Sequence, residues 1–188
     1  MTHDDFQQLL GHPKWGKYYI GRWEYFKHVI DFFHRLNPSS VLELGPGQHT
    51  VIKGCDIMLR PEDDQWGRPM NTINRIYLHN ATEKPWPIGD KAYDLLIALQ
   101  VWEHLDNKQS RAFREVMRVS KAAVLSFPFM WNCPKDNANY LHHHLIDKEL
   151  IEDWTLNITP ERVIEIPRTG EAVSKGQRLL YFWQFKHE

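Results

Sequence analysis

Apolar residues in this chain follow two rhythms. Between residues 17 and 36, Tyr19, Trp23, Phe26, Ile30 and Phe33 recur at spacings of three and four, the period of an amphipathic helix. Asn37-Pro38 closes it, because the residue before a proline is pushed out of the helical region. Elsewhere the apolar residues come in short runs, at 41–44, 55–59, 75–78, 93–99 and 122–127. Short runs bounded by turn residues suit parallel strands covered on both faces, and Pro128 is expected to stop the fifth. Phe113, Val116 and Met117 predict a second helix, capped at Asn107 or Ser110 and ending near Val119, and 147–154 a third. Residues 162–166 and 178–185, joined by a polar loop over 170–176, read as an antiparallel pair. Residues 1–16 are polar and broken by Gly11, Pro13 and Gly16. They are expected to form an irregular arm with at most a short helix over 6–10.

The connections are unusual. A parallel crossover normally needs a dozen or more residues, and the stretch from Gln48 to Lys53 leaves room for about one helical turn at most. Residues 60–71, with Pro61, Gly67, Pro69 and three acids, read as a loop. The expected architecture is therefore a three-layer α/β sandwich of Rossmann-like type. Its sheet is mostly parallel, with an antiparallel C-terminal hairpin and reduced first crossover helices, in a single domain over 1–188.

Composition narrows the partners. The formal net charge is −1 at pH 7, which disfavours a strong non-specific grip on a nucleic-acid backbone and leaves a small-molecule substrate as the expected partner. Cys55 and Cys133 offer no disulfide framework, so a reducing, cytoplasmic location is expected. The N-terminus is acidic rather than signal-like. No apolar run approaches the ~20 residues that span a bilayer, so no membrane association is expected.

The chemistry concentrates where strands should end. Val41-Leu42-Glu43-Leu44 stops at Gly45-Pro46-Gly47; glycine lets the chain turn sharply and lets a ligand approach the backbone. The later segments Tyr93-Asp94-Leu95-Leu96-Ile97 through Trp102-Glu103-His104-Leu105, and Arg114-Glu115-Val116-Met117-Arg118-Val119 followed by Ala123–Pro128, stand in fixed order after it. Together the three segments resemble the glycine motif, the fourth-strand motif and the following helix and strand of class I S-adenosylmethionine-dependent methyltransferases. The resemblance covers roughly residues 17–188, and it implies S-adenosylmethionine as cofactor and methyl transfer as activity.

On that resemblance, Gly45, Pro46 and Gly47 pass under the cofactor's amino-acid part. Glu43 orients their loop or meets the ammonium through water. Asp56, or else Glu62 or Asp63, holds the ribose hydroxyls, because a carboxylate accepts two hydrogen bonds. The spacing is short: Asp56 lies nine positions after Gly47, against about 20 in the Rossmann pattern. Asn80 offers its side-chain oxygen to the adenine amino group, and Ala81 its amide to the ring. Leu99 and Gln100 lie beside the methionine part. Independently of the resemblance, Arg22 and Tyr25 stand near the start of the helix expected over 17–36, where they either pack or face solvent, or reach a ligand. Trp102 and Trp131 either pack in the core or, if they line the site, wall a planar or aromatic acceptor. His104, and His143 beyond it, are candidate general bases of suitable pKa. The set Gln100, Glu103, His104, His143 or His144 loosely resembles the metal site of methyltransferases acting on the 2′-hydroxyl of small RNAs. Gln100 is a weak ligand there, and no metal is expected. The alternatives are a nucleotide or RNA 2′-O-methyltransferase and a non-catalytic S-adenosylmethionine-binding module. Because Gly47 opens no full helix, few helix N-terminal amides face the cofactor, and weak affinity is expected.

Overall fold

The computed structural model describes residues 1–66, 69, 71–132, 145–167 and 177–185. The strands are β1 (Val41–Leu44), β2 (Asp56–Leu59), β3 (Ile76–Leu78), β4 (Tyr93–Leu99), β5 (Ser120–Phe129), β6 (Trp131–Asn132), β7 (Leu145–Ile146), β8 (Arg162–Ile166) and β9 (Gln177–Gln184). The helices are α1 (His3–Leu10), α2 (Gly16–Tyr19), α3 (Trp23–Leu36), α4 (Gln109–Val119) and α5 (Lys148–Trp154). Seven strands form one sheet in the order β3-β2-β1-β4-β5-β9-β8, and β6 pairs with β7 separately. β1 to β5 are mutually parallel; β9 runs antiparallel between β5 and β8. This is the expected α/β sandwich with its antiparallel terminal hairpin.

Side chains alternate across the sheet with a period of two. Val41, Leu95, Ile97, Val124 and Phe182 face α1 and α3, where Phe6, Phe26, Val29 and Phe32 meet them. Leu42, Leu96, Ala98, Leu125 and Trp183 face α4 and α5, meeting Phe113, Val116 and Trp154. Both faces are apolar because both are covered, which is why the strands read as continuous runs.

The crossovers are as sparse as the spacing implies. Among the described residues no α-helix lies between β1 and β2, only a 3-10 turn over Pro61–Trp66 lies between β2 and β3, and no helix lies between β3 and β4. Polar side chains anchor the bare connections instead. Glu115 on α4 accepts the Trp86 amide at 2.8 Å, and Arg118 donates to the carbonyls of Ile88 (2.8 Å) and Trp86 (3.2 Å). These bonds fasten the loop before β4 to the helix that follows it.

Three local expectations are corrected. The arm at 1–16 is not irregular: α1 starts at His3 on a capping box. The Thr2 hydroxyl accepts from the Asp5 amide, and the Asp5 carboxylate from the Thr2 amide at 2.7 Å. The helix expected from 17 onward is split at Gly21, whose φ of +75° lies in the left-handed region. Pro128 does not end β5, which continues to Phe129. The β4 ladder stops at Leu99 opposite Ser126, so beyond it one flank of β5 has no ladder bond for a missing N–H to break.

Candidate active site

β1 is flanked by β2 on one side and β4 on the other, so strand order reverses between β1 and β4. In open parallel sheets ligands bind at that reversal, beyond the strands' carboxyl ends. Two adjoining cavities lie there. One, about 210 Å³, is bordered by Met58, Asp63, Asn80, Ala81 and His104. The other, about 40 Å³, is bordered by Arg22, Glu43, Pro46, Gly47 and Leu99. Tyr18, Gly45 and Gln100 border both. Roomier grooves, about 380, 410 and 340 Å³, lie beneath α1, at the amino ends of β4 and β5, and between α5 and the β8–β9 pair, away from the carboxyl ends of the parallel strands.

Gly45 turns the chain at the tip of β1 with φ +58°, and its amide donates to the Met58 carbonyl at 3.0 Å. A Cβ there would stand 3.0 Å from Cγ2 of Val101 and would have to push that side chain back by a few tenths of an ångström, on a backbone whose positive φ already favours glycine. Gly47 also has positive φ, and the next amide, on Gln48, donates to the Tyr19 hydroxyl at 3.1 Å. Glu43 is buried beneath this turn. Its carboxyl accepts from the Val51 amide at 2.9 Å through Oε2 and 3.2 Å through Oε1, bracing the loop after Gly47. Burial pushes its pKa up to about 8, against the pull of the amide bonds.

Gln100 closes β4 with φ +58°, costly for a residue with a Cβ. Ser126 on β5 holds it there: the hydroxyl accepts from the Gln100 amide at 2.8 Å and from Nε2 at 3.1 Å, while Arg178 donates to Oε1 at 3.3 Å. Leu99 precedes it on the wall of the smaller cavity. His104 lies on a 3-10 turn over Trp102–His104 and borders the larger cavity with Asn80 and Ala81.

Arg22 is a half-buried cation between α2 and α3. Nε donates to the Tyr18 carbonyl at 3.1 Å, Nη1 to the Tyr25 hydroxyl at 2.7 Å, and the guanidinium lies 4.0 Å from the centre of the Tyr18 ring. Its partners are these tyrosines, and among the described residues no carboxylate pairs with it.

The structure moves three of the candidate residues. Asp56 opens β2 opposite Leu42 and so sits at the amino end of the sheet, bonded to the Tyr93 hydroxyl and to Asn74 at 2.7 Å; it is too far back to meet a ligand at the carboxyl ends. The acid at the larger cavity is Asp63, on the turn after β2, gripped by Arg60 through two bonds of 2.8 and 2.9 Å. Trp102 walls no substrate: it is fully buried in the core, edge-on to Phe127 at 6.4 Å. Its Nε1 has no hydrogen-bond partner among the described residues. Asn80 lines the cleft, but its oxygen already accepts from the Thr82 amide and hydroxyl, both at 3.0 Å, so its amide hydrogens are what it has to offer. His143 and the Trp131 side chain lie outside the described residues. Among the described residues no three His, Cys, Asp or Glu side chains gather as a metal site, and no helix is long and apolar enough to cross a membrane.

No protein-family model matches the chain, and no curated protein does. Solved structures do. A protein of Pyrococcus horikoshii aligns over 94% of this chain and 93% of its own, with TM-score 0.62 and 12% identity. The methyltransferase domain of bacterial CtHen1 aligns over 87% and 99%, with TM-score 0.58 and 14% identity. An S-adenosylmethionine-dependent methyltransferase of Clostridium acetobutylicum aligns over 87% and 92%, with TM-score 0.58 and 10% identity. At such identities the likeness is one of fold: the chain has the architecture of S-adenosylmethionine-dependent methyltransferases.

Proposed function

We propose that this chain is an S-adenosylmethionine-dependent methyltransferase that delivers a methyl group to an oxygen or nitrogen of a small, planar or aromatic acceptor. The observation that carries the reading is the two-part cleft at the strand reversal, jointed at a glycine whose positive φ and close approach to Val101 disfavour a side chain. The residues suit the cofactor. The smaller cavity joins the Gly45–Gly47 turn to an arginine that has no carboxylate partner among the described residues, a match for an amino-acid head bearing a carboxylate. The larger has the size and the mixed lining for a nucleoside, with Asp63 placed for the ribose hydroxyls and Asn80 and Ala81 bordering the base. When bound, S-adenosylmethionine supplies an electrophilic methyl on a sulfonium.

The protein's part is alignment and exclusion of water rather than covalent catalysis. Arg22 holds the carboxylate and Glu43 keeps the glycine turn in shape. The strained backbone at Gln100, fixed by Ser126, sets the floor beneath the reacting centre. His104 receives the acceptor's proton, with His143 as the second candidate for that role.

A nucleotide or RNA 2′-hydroxyl is the second reading of the acceptor. The Glu103-His104 resemblance and the likeness to the CtHen1 domain favour it, and the net charge of −1 weighs against it.

Calorimetry with S-adenosylmethionine and S-adenosylhomocysteine tests the proposal. Weak but saturable binding of both is expected, and binding of neither overturns it. Mass spectrometry of a panel of small acceptors and short oligonucleotides, incubated with labelled cofactor, then separates the acceptor classes. Binding with no methylated product in either class leaves a non-catalytic binding module.

A further inference from the structure

Resting on that reading, we infer that Tyr18 is the residue that distinguishes the charged sulfonium from a neutral thioether. The sulfur is the atom that joins the cofactor's nucleoside to its amino acid. The residues shared by the two cavities, Tyr18, Gly45 and Gln100, therefore surround the place where it lies. Gly45 has no side chain to offer. Both ends of the Gln100 amide are engaged by Ser126 and Arg178. Tyr18 remains, and it is an aromatic ring, whose negative face attracts a cation.

Its setting fits the role. Tyr18 is 54% exposed although it borders both cavities, so much of its ring is open to a ligand. Tyr19 meets it edge-on at 5.1 Å, and Arg22 lies over its ring. Two cations sharing one ring would oppose each other unless one is neutralised. A carboxylate held by Arg22 does that, leaving the ring's attraction for the sulfonium. Arg22 itself cannot tell the two ligands apart, because S-adenosylmethionine and S-adenosylhomocysteine carry the same carboxylate.

The test compares the affinities of these two ligands by calorimetry in wild type, Tyr18→Leu and Tyr18→Phe. An exposed cation–ring contact is worth roughly a two- to fivefold change in affinity. Tyr18→Leu is expected to lower the preference for S-adenosylmethionine over S-adenosylhomocysteine by that factor. Tyr18→Phe, which keeps the ring and loses the hydroxyl, is expected to leave it unchanged. An unchanged preference in Tyr18→Leu overturns the inference while leaving the proposed cofactor intact. So does an equal loss in Tyr18→Phe, which would move the effect to the hydroxyl. Failure of the wild type to bind either ligand overturns the underlying reading instead.

Discussion

Glu43 makes the pH dependence of stability a direct test of the site's construction. Its carboxyl is 2% exposed, on the sheet face packed by α1 and α3, with the Val51 amide on its oxygens and a pKa raised by burial to about 8. In the unfolded chain it titrates near its ordinary value of 4.5. Below that value the folded and unfolded states carry the same proton, and nothing is lost. As pH rises between the two values, the unfolded state releases a proton that the folded state keeps. Stability then falls by about 1.4 kcal/mol per pH unit, to a limit of roughly 5 kcal/mol near pH 8. Glu43→Gln keeps a carbonyl oxygen for the Val51 amide and removes the titration. Urea unfolding followed by circular dichroism, at unit steps from pH 5 to 9, should show the variant gaining on the wild type up to pH 8 and levelling beyond it. The difference between the two proteins cancels the titration of every group that does not interact with Glu43. A difference that stays flat from pH 5 to 8 would mean that Glu43 ionises normally, and the buried neutral brace would be wrong.

Asp63→Ala is expected to weaken S-adenosylmethionine binding roughly tenfold, the loss of one charged hydrogen-bond acceptor. Asp56→Asn should leave that affinity unchanged and lower the melting temperature; calorimetry and thermal unfolding of both variants separate the two acids. Arg22→Met should weaken S-adenosylmethionine and S-adenosylhomocysteine alike, by roughly ten- to a hundredfold for a charge-assisted pair; a loss confined to one ligand refutes its assignment to the carboxylate. Arg118→Met, which strands the Glu115 carboxylate and two loop carbonyls, should destabilise by about 3 kcal/mol with cofactor affinity intact in the folded fraction, measured by urea unfolding and calorimetry.

Much of the fold was legible because its signals are local. The run Val41–Leu44 ends at glycines whose positive φ is real, and Tyr93–Leu99 is the fully covered strand its composition implies. The site was legible only in part, because a ligand reads position along a strand and the sequence reveals only membership of one. Asp56 and Asp63 are acids of the same second-strand region. Strand direction puts the first at the wrong end of the sheet and carries the chain through Leu59 to bring the second to the cleft. Trp102 follows β4 as a substrate wall should, but a tight turn folds it back onto Phe127. The N-terminal helix had a signal in the sequence: Thr2 stands three positions before Asp5, the spacing of a capping box.

The buried acids and the missing crossover helices have one explanation. A helix satisfies its own backbone, so a helical crossover can cover a sheet face with nothing but an apolar stripe. A bare loop laid over the same face exposes amides and carbonyls that need outside partners. Here side chains supply them: Glu43 takes the amide of Val51, Glu115 that of Trp86, and Arg118 the carbonyls of Trp86 and Ile88. The economy in chain length is therefore matched by ionisable side chains placed inside or at the margin of the core, and two of these carboxyls respond to burial in opposite directions. Glu115 is paired by Arg118 and its pKa is lowered despite burial, so raising the pH does not tax it. Glu43 has amides but no cationic side chain bonded to it, and carries the raised pKa. Loosening with rising pH should accordingly begin at the loop after Gly47, at the carboxyl end of β1. Hydrogen exchange at Val51 should accelerate between pH 6 and 9 beyond the base-catalysed rate, while exchange at Trp86 follows that rate; parallel behaviour of the two amides would show that the loops open only with the whole fold.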